Sequence, residues 1–302
     1  MSYLPEGIDI VNLIDDLRLC SWSASDILLK YSKFIKDKKY KSDFIKNKEN
    51  NEPVTLADLE VNNFIINHLN NKYTNIDWDI LSEETNNTKY QKRITTNWLW
   101  VLDPLDGTRD FLQRTGNYAM HLALNYRNKP YIGIVLIPEM NELWIANGNQ
   151  VWCENKNGIR EKHNLSNSRD LEEMVVVTSK NHRNQALHNL INNIGFKRSF
   201  LMGSIGCKVA SILRGEADIF ISLSLPGKSA PKDWDFAAPE AILKQAGGAI
   251  TTLNNKELIY GQDGFRQEGL IIASNNKQNH ENICLEIKKI LKRRNINLFK
   301  FN

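Results

Sequence analysis

The 302-residue sequence predicts a layered α/β fold, and three patterns support this prediction. Two segments among the first 75 residues place apolar residues at the three- and four-residue spacing of helices. The middle of the chain alternates apolar and polar residues in short runs separated by turn residues, as antiparallel strands do. After about residue 160, strand-like and helix-like segments alternate, which is typical of α/β layers.

These patterns predict the elements in chain order. The stretch IDIVNLIDDLRLCSWSASDILLKYSKFI predicts helical structure, and a second helix is expected from about Ala57, after Pro53. The segments WDILSEE and NWLWVLD predict buried strands that end in acids, and those from YAMHLALNY to QVWCEN predict a meander. Because no repeat or low-complexity linker divides the chain, we expect one fold with two subdomains, 1–158 and 159–302, and a ligand cleft between them.

Composition argues against several classes of protein. The net charge of +4 is dispersed, so the Lys-rich stretches are interpreted as solvated helix faces rather than as a nucleic-acid surface. The four cysteines lie far apart without a CxxC pair, which argues against a zinc site and a disulfide framework. The N-terminus lacks the basic region of a signal peptide, and the longest apolar run, IGIVLI, is too short for a membrane span. We therefore expect a cytoplasmic protein.

The stretch WVLDPLDGTRDF, residues 100–111, places two acids where an apolar strand ends. Since the residue before a proline is held in extended geometry, we expect Asp103 to finish the strand and Asp106 to turn back beside it. Two neighbouring carboxylates repel each other unless a cation lies between them, and a divalent metal would satisfy both. The alternative is that Asp106 and Thr108 only begin the next helix as turn and cap residues.

Further acids favour the metal hypothesis, although each one alone could be a surface acid or a helix cap. Glu83 and Glu84 close the preceding strand, Asp58 lies in PVTLAD, and Asp235 lies in DWDFAAPE. An all-oxygen set without a nearby His or Cys suits Mg²⁺ rather than zinc. Gly107 lets the backbone approach a ligand, and the helix amides after it favour an anion, so a phosphate is expected beside the metal.

Three other motifs fail on these residues. A haloacid-dehalogenase-like site needs its second Asp two residues after the first, whereas Asp103 and Asp106 are three apart. A calcium loop of the EF-hand kind needs acids at alternate positions, and no GxxxxGK[ST] loop is present. The Thr108 hydroxyl would lie beside the metals, where it can position a water for attack.

Four motifs in this order, PVTLAD, SEE, LDPLDGT and DWDFAAPEAILKQAGG, resemble those of the inositol monophosphatase superfamily of Mg²⁺-dependent, lithium-sensitive phosphatases. The resemblance covers nearly the whole chain and implies an alternating α-β-α-β-α sandwich. Within the superfamily, DPLDGTRDF and the segment after it are most similar to the CysQ-type 3'(2'),5'-bisphosphate nucleotidases. Those enzymes remove the 3'-phosphate of adenosine 3',5'-bisphosphate, a by-product of sulfate assimilation.

The resemblance also implies a role for each motif residue. The groups that it implies as ligands of two or three Mg²⁺ ions are Glu83, Asp103, the Leu105 carbonyl, Asp106 and Asp235. Asp58 and Thr108 resemble the pair that orients and deprotonates the attacking water, with Glu83 beside them in the catalytic set. The amides of Gly107 and Thr108 resemble the groups that hold the scissile phosphate. In-line transfer to water without a covalent phosphoenzyme is implied.

Substrate-binding residues are implied by two shorter segments. TSKNH and GSIGCK resemble segments that contact a nucleotide, which implies His182, Ser204 and Lys208; the alternatives are a loop histidine, a helix cap and a solvated lysine. The chain also departs from the pattern. Many bisphosphate nucleotidases place an arginine shortly before the second metal motif, where DIFISLSLPGKSAPKDWD has serines, so Lys228 or Lys232 is expected to supply the charge.

The expected function is therefore that of a Mg²⁺-dependent phosphomonoesterase acting on adenosine 3',5'-bisphosphate, a small phosphorylated partner, as a monomer or homodimer. An inositol-phosphate phosphatase is the first alternative within the same chemistry. A catalytically silent relative that binds a phosphorylated ligand or a protein is the second. The complete acid set favours an enzyme, because a binding module does not need Asp58 and Thr108 together with every metal carboxylate.

Overall fold

A computed structural model describes residues 4–37, 45–47, 53–85, 96–161, 165, 169–181, 185–225 and 227–294. Its helices are α1 Ile10–Lys36, α2 Leu56–Lys72, α3 Thr108–Gln113, α4 Gln185–Ile194, α5 Ile205–Leu213, α6 Asp233–Gln245 and α7 His280–Arg293. Its strands are β1 Ile45–Asn47, β2 Pro53–Thr55, β3 Asp79–Ser82, β4 Trp98–Asp106, β5 Ala119–Tyr126, β6 Lys129–Ile137, β7 Glu142–Ala146, β8 Val151–Glu154, β9 Arg160–Glu161, β10 Val175–Ser179, β11 Arg198–Met202, β12 Ile219–Ser224, β13 Ala249–Thr252 and β14 Gly269–Ser274. None of the helices in the described ranges is long and apolar enough to cross a bilayer.

The fold contains two large sheets and a small antiparallel sheet of β1 and β2. The first has the order β3-β4-β5-β6-β7-β8-β9 and is antiparallel except for the parallel pair β3 and β4. The second has the order β11-β10-β12-β14-β13, in which β10 runs parallel to both of its neighbours and β14 antiparallel to its own. The predicted meander is confirmed in the first sheet, and the alternation of strands and helices is confirmed around the second.

Three apolar clusters arrange these elements in five layers. One cluster packs α1 and α2 against the first sheet, the next fills the space between the two sheets around α5 and α6, and the third lies between the second sheet and α4 and α7. Strand β4 shows how the sequence builds two of the layers, because successive side chains point to opposite faces. Trp100 and Leu102 pack towards α1 and α2, whereas Val101 packs towards α5 and α6. The α-β-α-β-α sandwich is confirmed.

The prediction that Asp103 finishes its strand is wrong. The strand does not finish at Asp103 but continues to Asp106, with Asp103 opposite His121 and Asp106 opposite Ala119. Three residue steps on β4 therefore face two on β5, and the extra residue forms a bulge. A bulge tolerates the missing amide of Pro104, so the chain changes direction without leaving the sheet. The subdomain division at residue 158 stays a prediction; β9, at Arg160–Glu161, pairs within the first sheet.

Candidate metal centre

Three carboxylates meet where β4 ends and α6 begins, and we call Asp103, Asp106 and Asp235 the acid cluster. Each contributes one oxygen, and these oxygens all lie within 4.8 Å of one another. Strand β4 supplies the first two acids on either side of its bulge, and the first turn of α6 supplies Asp235. A set made only of carboxylate oxygens matches the preference of Mg²⁺.

Asp103 lies at the centre of the negative charge. Its side chain is buried, and burial raises the pKa of its carboxyl well above the ordinary range, with the charges of Glu83 and the other cluster acids raising it further. The Glu83 carboxyl is hydrogen-bonded to it. Strand β3 brings Glu83 there, because β3 runs parallel to β4 and the Glu83 amide donates to the Leu102 carbonyl at 3.1 Å. A divalent cation fits this site, since it offsets the repulsion that burial makes costly.

Asp106 is held by the start of another helix. Its Oδ2 accepts hydrogen bonds from the Ser204 hydroxyl at 2.7 Å and from the amide of Ile205 at 2.5 Å. These groups belong to the N-terminus of α5, whose partial positive charge favours a carboxylate. Nε2 of the buried His121 lies 3.4 Å from the same oxygen. The helix therefore fixes one oxygen of Asp106 in place.

Thr108 and Asp58 lie next to the cluster. The Thr108 hydroxyl is 3.1 Å from the Leu105 carbonyl and 3.4 Å from Asp58 Oδ1, so it can donate to either oxygen. The Leu105 amide in turn donates to Asp103 at 3.0 Å. Burial raises the pKa of Asp58 to about 7, against the lowering effect of its hydrogen bonds from Thr55. A carboxyl with this pKa can take up a proton near neutral pH.

Asp58 and Asp235 each complete a capping box, in which Thr55 and Lys232 are the N-cap residues. Each is the third residue of its helix: Asp58 accepts from the Thr55 amide at 2.8 Å, and Asp235 from the Lys232 amide at 2.5 Å. A capping interaction uses a carboxylate that points back at the helix start. The two interpretations of these acids are thus compatible, because the cap itself fixes the carboxylate towards the site.

Gly107 is required by its backbone. Its φ is +90°, in the left-handed region, and a Cβ there would lie 2.9 Å from the Asn117 carbonyl oxygen and 3.3 Å from the Ser204 amide nitrogen. Glycine alone avoids both problems. The chain therefore turns from β4 into α3 with its backbone pressed against the start of α5.

The residues implied in substrate binding differ in where they lie. His182 lies outside the described residues. Ser204 caps α5, because its hydroxyl accepts from the Cys207 amide at 3.2 Å while donating to Asp106, so the alternative of a helix cap is realised. Lys208 is 1% exposed, and its ammonium donates to the Gly203 carbonyl at 2.5 Å. The alternative of a solvated lysine is therefore wrong.

One buried acid beside the site escaped sequence reasoning. Asp110 is fully buried, accepts from Thr115 at 2.6 Å and from Asn181 at 2.6 Å, and lies 3.6 Å from the Lys180 ammonium. It joins α3 to the loop after β10, and a Cβ at Gly203 would approach its Oδ2 to 2.2 Å. The only local signal was an acid in the first turn of a short helix.

Comparisons with known proteins identify the family and the fold of this chain. The sequence pattern of the inositol monophosphatase family matches residues 13–292. The 3'(2'),5'-bisphosphate nucleotidase CysQ of Buchnera aphidicola is 32% identical over 215 residues, which cover 70% of this chain and 76% of that protein. The CysQ of Escherichia coli K12 is 29% identical over 75% of this chain and 87% of its own length. The crystal structure of the extragenic suppressor protein suhB from Bartonella henselae superposes with a TM-score of 0.73 at 21% identity, covering 93% of this chain and 99% of that one.

Proposed function

The chain belongs to the inositol monophosphatase family, and on this premise we propose that it is a Mg²⁺-dependent phosphatase that converts adenosine 3',5'-bisphosphate into AMP and phosphate. The observation that carries the proposal is the acid cluster with the Thr108 hydroxyl and Asp58 beside it. The nucleotide as substrate rests on the CysQ relatives, which are named 3'(2'),5'-bisphosphate nucleotidases. The cellular role proposed with it is removal of a sulfate-assimilation by-product in the cytoplasm.

The proposed ligands of two or three Mg²⁺ ions are Glu83, Asp103, the Leu105 carbonyl, Asp106 and Asp235. When bound, the metal supplies a clamp on the attacking and leaving oxygens of an in-line displacement. The α5 amides and Ser204 keep Asp106 oriented for this role. The Leu105 amide does the same for Asp103.

Water activation is assigned to Thr108 and Asp58, with Glu83 beside them. The Thr108 hydroxyl takes up a proton from the attacking water as it passes its own proton to Asp58 Oδ1, which lies 3.4 Å away. The raised pKa of Asp58, about 7, suits a group that gains a proton during the reaction and loses it afterwards. Transfer goes directly to water, so no residue becomes phosphorylated.

The remaining roles concern the substrate. The amides of Gly107 and Thr108, at the start of α3, are assigned to the phosphate that is cleaved. Ser204, Lys208 and His182 are assigned to the nucleotide. The Lys208 ammonium has two further N–H donors besides the one bonded to the Gly203 carbonyl, which it can offer to a phosphate.

A substrate panel tests the proposal. Phosphate release is measured with Mg²⁺ on adenosine 3',5'-bisphosphate, 3'-phosphoadenosine 5'-phosphosulfate, inositol 1-phosphate and fructose 1,6-bisphosphate. We expect the highest kcat/KM on adenosine 3',5'-bisphosphate and loss of release when a chelator removes the metal. A preference for inositol 1-phosphate would instead support the inositol-phosphate phosphatase, and folded protein that binds but cleaves none of them would support the silent relative.

A further inference from the structure

The connection between β13 and β14 folds back onto the start of α6, the helix that carries Asp235. Lys232 and Arg266 pair as an antiparallel bridge, and the Gln267 amide donates to the Pro231 carbonyl at 2.8 Å. The Lys232 ammonium reaches the same connection and donates to the Gly264 carbonyl at 2.6 Å. Arg266 is thus placed one strand spacing from a residue that directly precedes α6.

A buried acid fastens this connection. Asp233, the first residue of α6, is 1% exposed and accepts from the Gly261 amide and from the Gln267 side chain, each at 2.7 Å. Gln267 is itself buried and also donates to the Ile259 carbonyl at 2.9 Å. Buried polar groups bonded in this way hold one backbone arrangement. The position of Arg266 is therefore fixed by Gly261 before it and Gln267 after it, both of which are bonded to Asp233.

Positive charge collects at this edge of the site. The Lys232 ammonium and the Arg266 guanidinium lie on the β13–β14 connection, and the backbone carbonyl of the exposed Lys228 contacts Arg266. Glu268 is the acid that pairs with Arg266, with its carboxylate 2.5 Å from Nε. The helix start that these cations flank is tied directly to a candidate metal ligand, because the Lys232 amide donates to Asp235. A phosphate clamped at the acid cluster would leave a second phosphate of the same molecule facing outwards, where a cation can meet it.

Arg266 is the best prepared of the three. Its Nη2 donates to the Lys228 carbonyl at 2.6 Å and its Nε donates to Glu268. These two hydrogen bonds hold the guanidinium in one orientation. Its side chain is 35% exposed, and within the described residues Nη1 has no acceptor. Arginine stays charged and holds its donors in a fixed planar fork, of which Nη1 is the nitrogen that can donate to a phosphate oxygen here, whereas a lysine acts as a point charge.

We propose that Arg266 is a specificity-determining residue that binds the phosphate that is not cleaved, the 5'-phosphate of adenosine 3',5'-bisphosphate. This inference rests on the proposed function. It differs from the sequence-based expectation that Lys228 or Lys232 supplies the charge. The Lys232 ammonium is bonded to the Gly264 carbonyl, and the Lys228 carbonyl anchors the Arg266 guanidinium.

The test compares two substrates that share the scissile 3'-phosphate. Adenosine 3',5'-bisphosphate carries the second phosphate, and adenosine 3'-monophosphate lacks it. We expect Arg266→Gln to raise KM for the bisphosphate about tenfold, as expected for loss of a charged hydrogen bond, with kcat and the monophosphate constants nearly unchanged. Inhibition by the product AMP, which keeps the 5'-phosphate, should weaken by about the same factor. Arg266→Lys, which keeps the charge but not the fork, should recover part of the loss.

The matched control is Arg293→Gln, which removes an exposed arginine from the last turn of α7 and should change neither substrate. Equal rises in KM on both nucleotides, or no rise on either, would overturn the inference while leaving the nucleotidase activity in place; the former would make Arg266 a support of the loop. A wild-type protein that cleaves neither nucleotide would overturn the proposed function and this inference with it.

Discussion

Asp106 and Ser204 form a direct link between the two large sheets of the fold. The Ser204 hydroxyl donates to the Asp106 carboxylate at 2.7 Å and accepts from the Cys207 amide at 3.2 Å. Asp106 ends β4 of the first sheet, whereas Ser204 follows β11 of the second. A single hydroxyl thus caps a helix and orients a proposed metal ligand, so helix stability and metal affinity are coupled through it.

Ser204→Ala should lower both the stability of the protein and its apparent affinity for Mg²⁺. Loss of the cap lowers the free energy of unfolding by about 1 kcal/mol, and loss of the Asp106 hydrogen bond raises the Mg²⁺ concentration for half-maximal activity by about tenfold. Chemical denaturation and a Mg²⁺ titration of activity measure them. Ser23→Ala, which removes an exposed hydroxyl that donates to the Leu19 carbonyl within α1, is the control. An unchanged Mg²⁺ requirement would show that the hydroxyl is a cap only.

Asp103→Asn tests the acid cluster. The amide keeps an oxygen for the Leu105 amide but loses the charge, so we expect kcat/KM to fall by at least about 10²-fold. Without metal the variant should melt about 2 °C or more above the wild type, because burial and the charge of Glu83 make an ionised Asp103 costly. Phosphate release and thermal melts with and without Mg²⁺ measure both. Asp15→Asn on α1 is the control; near-normal activity in folded Asp103→Asn protein would contradict the metal assignment.

Thr108→Ala should lower kcat by about 10²-fold with a much smaller effect on KM, since the hydroxyl is assigned to the water and not to the ground-state substrate. Asp58→Asn should act in the same direction. Thr108→Ser keeps the hydroxyl, which lies 3.1 Å from the Leu105 carbonyl and 3.4 Å from Asp58, and serves as the matched control. Steady-state kinetics decide the assignment: a defect confined to KM would move Thr108 to substrate contact.

Features set by neighbouring residues could be predicted from the sequence, whereas features set by tertiary contacts could not. The acid cluster was predictable because DPLDGT places two acids near the end of a strand and DWD places one in the first turn of a helix, and short apolar runs located those elements. The bulge in β4 was not, because the sequence around Pro104 is equally compatible with a turn; pairing with β5 keeps the strand going to Asp106. The local sequence pattern therefore predicted the acids of the cluster, whereas the end of β4 is determined by its pairing with β5.

The residues that sequence reasoning missed depend on distant partners. Asp110 is bonded to Asn181, 71 positions along the chain, and Arg266 is placed by its pairing with Lys232 across a loop. The hydrophobic periodicity of the sequence does not predict contacts between such distant residues. The burial of Asp110, and the packing of the β13–β14 connection against the start of α6, depend on how α3 and α6 pack in the folded protein. Because most charged residues lie at the surface, the charge of Asp110 or Arg266 is by itself no signal of a buried or docked position.

His280 should make the protein less stable in acid. The ring is 2% exposed at the start of α7, with Nδ1 2.7 Å from the Ser274 hydroxyl and Nε2 2.8 Å from the Thr251 hydroxyl. A neutral ring has one donor and one acceptor nitrogen, so each nitrogen can share a hydrogen bond with a hydroxyl. Burial lowers the pKa of His280 from 6.5 to about 4.

The sign follows from proton binding. Between about pH 6.5 and pH 4 the unfolded chain binds a proton at this histidine and the folded protein does not, so the free energy of unfolding falls as the pH falls. From pH 7 to pH 5 the loss due to His280 is about 2 kcal/mol. His280→Gln cannot take up that proton. Its free energy of unfolding should therefore decline less steeply over this range, even if its value at pH 7 is lower. Urea denaturation across the pH range measures both slopes, with His188→Gln on α4 as the control. Parallel slopes for wild type and His280→Gln would mean that the folded protein holds the ring charged, contrary to its burial between two hydroxyls.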